Sequence, residues 1–322
     1  MAKRKFKQAL DIRETLDEAF EEFMEEKTAN NLSKSTLRNY RQSYDTFYKY
    51  HNLSAGTLLA DINIQMFYKF INHLKNNEVR PQSINHFLRD LRTFFNWCNL
   101  HDKLQEPIKI KEIEAQDELP KMYSDEEMAI MLEKPRPGDG FSDWRSWAMI
   151  STVYATGLRA STLCALKLED LNFQREEITI ERQKNKNAGI LPLTPALANS
   201  LKEYIKRWMK DADPTDWLFP SITGEQFNVG ALNHSIARYC ETRGVKGHGI
   251  HSIRHNFSRD MIINGAGEYR LQKYLQHSSI QMSQHYVKLF AQDLKRGAEE
   301  FSPLDNAKKK QKRTSAFKKS NS

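Results

Sequence analysis

Between about residues 10 and 103, apolar residues return every three or four positions: Leu16, Phe20 and Phe23, then Leu37, Tyr40, Tyr44 and Phe47, then Phe87, Leu91 and Phe94. That is the period of amphipathic helices, and stripes of this kind can bury themselves against one another, so the segment reads as a helical bundle. From 104 to 121 the period fades, and Pro107 and Pro120 punctuate mixed charges, as in a linker. Ser124-Asp125-Glu126-Glu127 then opens a helix ahead of Met128, Met131 and Leu132, and helical sequence resumes over 143–168. Ile178-Thr179-Ile180-Glu181-Arg182 alternates with period two, 185–189 is turn-like, and Ile190-Leu191-Pro192-Leu193 supplies a return strand. Further helices are expected over 195–209, 229–242, 254–264, 269–276 and 289–301, the last carrying Leu289, Phe290, Leu294, Ala298 and Phe301 on one face. The expected fold is mainly α with a small β-hairpin or sheet in the second domain.

Composition narrows the class. A chain of 322 residues exceeds what one core usually organises, so two domains are expected. A hydrophobic fraction of 39% with 28% charged residues is that of a globular protein, and no apolar run approaches the roughly 18 residues of a membrane helix. Met1-Ala2-Lys3-Arg4-Lys5-Phe6 leads into charged sequence and not an apolar signal region, so a cytosolic protein is expected. Cys98, Cys164 and Cys240 lie far apart and read as reduced thiols. The net charge of +8 suggests a nucleic-acid partner, but seven of those charges come from Lys308, Lys309, Lys310, Lys312, Arg313, Lys318 and Lys319 in the acid-free stretch 307–322. The rest of the chain is nearly neutral, so local pattern has to carry any case for DNA.

Two helices in the first domain open with hydroxyls and cations. Lys34, Ser35, Thr36 and Arg38 begin one; Arg80, Ser83, Asn85, Arg89 and Arg92 lie along the other. Exposed amides and the helix dipole favour an anion at such ends, which suits contacts to DNA phosphates. Ser33 or Ser35 acting only as a helix cap, beside a solvated basic face, is the plainer account.

Three later segments carry the chemistry: Ala155-Thr156-Gly157-Leu158-Arg159, His251-Ser252-Ile253-Arg254-His255, and Leu275-Gln276-His277-Ser278-Ser279 followed by Tyr286. His277 lies 23 residues after Arg254, and Tyr286 nine after His277. In this order and spacing the segments resemble the signature of the tyrosine recombinases of the phage integrase family, and the resemblance spans nearly all of residues 10–303. It implies a two-domain DNA clamp: a helical core-binding domain over 10–103, a linker over 104–121, a catalytic domain over 122–303 and a basic tail over 304–322. It also places Arg159, Lys184, His251, Arg254, His277 and Tyr286 at the family's six active-site positions. Lys186 lies on the same predicted turn as Lys184 and is the alternative there.

The side-chain chemistry agrees with these roles. A phosphodiester under attack gains charge on its nonbridging oxygens, which the planar forks of Arg159 and Arg254 suit. A phenol with a pKa near 10 needs a base or a positive field before Tyr286 can attack, and His251 with the two arginines would supply it. Lys184 on a hairpin tip would protonate the leaving 5′ oxygen, and His277 would hold the phosphate. No carboxylate cluster, cysteine pair or Gly-rich phosphate loop calls for a metal, a nucleotide or another cofactor. Two positions depart from the family pattern: Thr162 stands where an acid usually supports the first arginine, and Gln276 where Gly usually precedes the second histidine.

The implied activity is site-specific cleavage and rejoining of double-stranded DNA at recombination sites, integrating or excising a mobile element, with Xer-type chromosome dimer resolution as the alternative. The implied assembly is a homotetramer on DNA, joined through the helix over 289–301, with a directionality factor as accessory partner, in the cytoplasm at the nucleoid. A catalytically silent DNA-binding protein and a type IB topoisomerase are the competing classes. The intact Arg159, Arg254 and Tyr286 oppose the first, and the compact N-terminal helical segment opposes the second.

Overall fold

The computed structural model describes residues 13–115, 120–180 and 189–276, together with Ile280, Gln284, Tyr286 and Val287. It divides into two units, Met1–Glu118 and Leu119–Ser322. The expected strand end at Glu181-Arg182, the 185–188 turn, the 289–301 helix and the basic tail lie outside the described residues.

The first unit is built on four helices: α1 Leu16–Ala29, α2 Lys34–Tyr50, α3 Ile64–Asn76 and α4 Pro81–Leu100. Each start is written locally. Thr15 and Glu18 form a capping box, Ser33 accepts from the Thr36 amide, Asn63 accepts from Gln65, and Pro81 occupies the first turn of α4, where no amide partner is needed. The apolar stripes meet in an aromatic core of Phe20, Phe23, Tyr44, Phe47, Phe67, Phe70, Phe94 and Phe95. Full burial of one such ring contributes about 1.5–3 kcal/mol, so this core is the main source of the unit's stability. The segment expected to be a linker from 104 is, in its first part, packed on this unit: Leu104 and Ile110 are buried in the core, with Ile108 and Ile113 against it. Four apolar side chains at irregular spacing escaped a periodicity reading, although their packing holds this irregular segment down.

The second unit surrounds α6, Phe141–Thr156, whose residues from Trp144 to Ile150 are all buried. Helices α5 Asp125–Leu132, α8 Pro195–Trp208, α9 Val229–Glu241 and α10 Ile250–Ile263 pack on it. A three-stranded antiparallel sheet, β1 Leu171–Asn172, β2 Glu177–Ile180 and β3 Gly189–Pro192, turns Ile178, Ile180 and Leu191 into the same core, with Ile178 opposite Leu191. A smaller cluster of Phe257, Ile262, Leu271 and Leu275 joins α10 to α11, Glu268–Leu275.

The helical sequence expected over 143–168 is broken. Gly157 caps α6 with φ +67°, and a four-residue α7, Ala160–Leu163, restarts the helix after Arg159. Glycine is required at 157 twice over, because the left-handed backbone disfavours a side chain and an added Cβ would lie 2.5 Å from Phe257 and 2.8 Å from Leu275. Gly157→Ala should therefore lower stability by about 2–5 kcal/mol, combining the left-handed penalty with overpacking. A thermal melt of the variant should fall by several degrees; an unchanged melt would show that the turn relaxes freely.

Candidate active site

The α6 cap sets the first arginine. The left-handed Gly157 reverses the chain, so that Arg159 becomes the N-cap of α7. Its Nη1 donates to the Gln276 carbonyl at 3.3 Å. On α10, His251, Arg254 and His255 fall at i, i+3 and i+4 and so share one face. Arg254 is only 6% exposed, and its guanidinium donates to the carbonyls of Gly157 and, at 3.0 Å, Leu275. Those carbonyls lie at the C-terminal ends of α6 and α11, where helix carbonyls lack intrahelical partners and carry partial negative charge. One buried cation thus ties two helix ends together, and both arginines grip the residues immediately before His277.

Tyr286 packs against the small Phe257 cluster, and its hydroxyl meets His255 Nδ1 at 3.0 Å, with ring centroids 5.6 Å apart. Burial raises the Tyr286 phenol above its ordinary range, against the opposing influence of the Arg254 charge and hydrogen bond and the Arg159 charge. Burial, with help from Arg159, pushes Arg254 down to about 10, which leaves it a cation at neutral pH. Burial, then the charges of His251 and Arg254, pushes His255 down to about 4. His251 reaches the surface, yet desolvation of its ring and the charges of Arg254 and Arg159 lower it as well. The site therefore couples two guanidinium cations, a neutral His255 imidazole and a protonated phenol.

Arg159, His251, Arg254 and Tyr286 converge, then, on the junction of α6, α10 and α11. Lys184, its alternative Lys186, and His277 lie outside the described residues. The strands that flank Lys184 are in place: Ile180 pairs with Gly189, and a Cβ at Gly189 would lie 2.8 Å from Gln276 Nε2, so the root of this hairpin adjoins the residue before His277. Thr162, the departure near the first arginine, is buried in α7. His255 is the residue that sequence reasoning passed over. It stands in the quoted segment His251–His255, but only the fold brings it to a tyrosine 31 residues away.

In the first unit, Lys34, Ser35 and Arg38 are exposed at the start of α2, and Arg80, Ser83 and Arg89 are exposed along the first half of α4. Thr36 is half-buried and its hydroxyl pairs with the Ser33 cap at 2.8 Å. Arg92 pairs with Glu112 at 2.7 Å. Asn85 requires a correction: it is 7% exposed and its amide both donates to and accepts from the Ile113 backbone at 2.9 Å. Its polar groups are spent on the segment after α4, not turned out toward DNA.

Comparison with known proteins agrees with this geometry. The Phage integrase family pattern matches residues 121–293, and the Phage integrase SAM-like domain matches 15–99. Among curated relatives, tyrosine recombinase XerA of Pyrococcus furiosus is 26% identical over 294 residues, covering 90% of this chain and 96% of that one. The fold is also that of the Tn1549 transposon integrase in complex with a circular intermediate DNA, at TM-score 0.69 and 16% identity over 85% of this chain and 95% of that one. A lambda integrase tetramer bound to a Holliday junction matches at TM-score 0.67 and 15% identity, over 86% of this chain and 78% of that one. With more than half of its residues under the integrase pattern, and with a tyrosine set against an arginine pair at the end of that pattern, the chain belongs to the phage integrase family and is a tyrosine recombinase, an enzyme of site-specific DNA recombination.

Proposed function

We propose that this recombinase cleaves DNA by attack of the Tyr286 oxygen on a backbone phosphorus, forming a 3′-phosphotyrosyl bond and releasing a 5′ hydroxyl. Arg159 and Arg254 hold the nonbridging oxygens and favour the phenolate, His251 takes up the phenolic proton, His277 hydrogen-bonds the phosphate, and Lys184 protonates the departing 5′ oxygen. Rejoining is the reverse, with a 5′ hydroxyl of another strand attacking the phosphotyrosine. The phosphotyrosine conserves the bond energy, so these side chains account for cleavage and rejoining. The observation that carries the assignment is the position of the Tyr286 hydroxyl, which interacts with both Arg254 and Arg159.

On this reading residues 10–103 bind one face of the DNA through Lys34, Ser35, Arg38, Arg80, Ser83 and Arg89, residues 122–303 form the catalytic domain, and the tail over 304–322 adds salt-sensitive affinity. Four copies assemble on paired sites through the 289–301 segment, and a directionality factor selects the outcome; the tetrameric lambda integrase supports the stoichiometry. The enzyme works on DNA in the cytoplasm, and integration or excision of a mobile element is the reaction it serves. Xer-type dimer resolution is the second reading, favoured by alignment along 96% of the Pyrococcus furiosus XerA chain. Inverted repeats flanking the gene support the first reading, and a lone site near the replication terminus the second. The chemistry itself is tested by trapping the enzyme on nicked duplex DNA and digesting the adduct. The phosphonucleotide should map to the peptide holding Tyr286; a different modified residue would sink the assignment.

A further inference from the structure

We propose that His255 is a positioning residue for Tyr286, its Nδ1 accepting the phenolic hydrogen so that the attacking oxygen is oriented before DNA arrives. The inference rests on Tyr286 being the nucleophile. A phenol hydroxyl swings about its C–O bond and carries one hydrogen, so a donor and an acceptor on the same oxygen determine where its remaining lone pair points. Arg254 can only donate to that oxygen, and His255 Nδ1, at 3.0 Å, stands as the acceptor. The pair therefore aligns the hydroxyl, with hydrogen toward the imidazole and electron density toward the guanidinium side, where a phosphate would be held.

The acceptor is mounted on a rigid turn. Asn256, the next residue, is fully buried and clamps the Tyr123 backbone from both sides, accepting from its amide at 3.0 Å and donating to its carbonyl at 2.7 Å. Arg254, the preceding residue, is fixed to the ends of α6 and α11. His255 is thus held between two anchored neighbours. The role also requires an unprotonated Nδ1, with the ring hydrogen on Nε2. Burial and the neighbouring charges of His251 and Arg254 keep the ring neutral. So weak a base orients the phenolic proton without removing it in the DNA-free enzyme.

Two substitutions in the full chain separate orientation from packing. His255→Phe keeps the ring volume without an acceptor, and His255→Asn offers an oxygen near the Nδ1 position. With nicked duplex selected from a random-sequence pool by the Tyr286→Phe protein, His255→Phe should bind within about twofold of wild type yet form the covalent complex about 10 to 100 times more slowly at saturating DNA. His255→Asn should recover most of that rate. A readout independent of activity and of the His255 variants is the ¹⁵N spectrum of the histidine rings. Nδ1 of His255 should appear unprotonated and hydrogen-bonded, and should move toward the free-acceptor position in Tyr286→Phe. Wild-type cleavage by His255→Phe, no recovery by a folded His255→Asn, or an Nδ1 signal indifferent to Tyr286→Phe would each overturn the proposal. Mapping of the adduct to another residue would instead remove the nucleophile assignment, while the spectrum would still report the hydrogen bond.

Discussion

Tyr286→Phe should abolish covalent protein–DNA complex while leaving site binding and folding nearly intact. Phenylalanine keeps the ring against the Phe257, Ile262, Leu271 and Leu275 cluster and removes one oxygen. The lost hydrogen bonds cost about 0.5–1.5 kcal/mol for His255 and about 1.5–3 kcal/mol for the charged Arg254, a fall of several degrees in a melt that stays below the usual stability of a domain, about 5–15 kcal/mol. The chemical effect is total, because no other atom of that side chain can form the phosphoester. Denaturing electrophoresis of the enzyme with nicked duplex measures it directly: wild type should give a shifted band and the variant none. A persistent band would mean that another nucleophile acts.

Arg254→Lys should produce two effects that can be read separately. The guanidinium serves the Gly157 and Leu275 carbonyls together, whereas an ammonium on a single stem cannot span both as a planar fork does. Leaving one buried carbonyl unpaired costs about 1–3 kcal/mol, so the melt should fall by several degrees. Below that melting range, cleavage should still drop by about 10² to 10³, the usual loss when one donor to a developing oxyanion is removed. Single-turnover cleavage at saturating DNA is the measurement. A rate within tenfold of wild type would restrict Arg254 to a structural tie and leave Arg159 as the sole clamp.

Much of the fold was legible because it is local. Helices α1, α2 and α4 announce themselves by apolar spacing, and the β2–β3 hairpin by the alternation around Ile178 and Ile180, whereas α3 shows its cap and its buried face only in the structure. The break at Gly157 was harder to read, since glycine in helical sequence is tolerated as often as it terminates; what decides is the left-handed cap forced by the close approach of Phe257 and Leu275. The packed segment after α4 was missed for a related reason. Leu104, Ile108, Ile110 and Ile113 follow no period, and their burial depends on a surface made by distant helices.

The sequence by itself determined the order of the chemical groups: Arg159, the His251 to Arg254 pair, His277 and Tyr286 at spacings that identify the family. Tertiary structure alone decided which of those groups meet. Asn85 looked like a DNA contact in a polar helix start, and the fold spends it on Ile113, 28 residues away. His255 stood in the quoted segment with no role assigned to it, and the fold sets its Nδ1 on the Tyr286 hydroxyl. The physical reason is the same in both cases. Periodicity and capping arise from interactions within a few residues, whereas a side-chain hydrogen bond across tens of residues exists only after packing has fixed the segments that carry its two ends: the buried Leu104 and Ile110 after α4 do so for Asn85, and the Arg254 guanidinium, tying the ends of α6 and α11, does so at the active site.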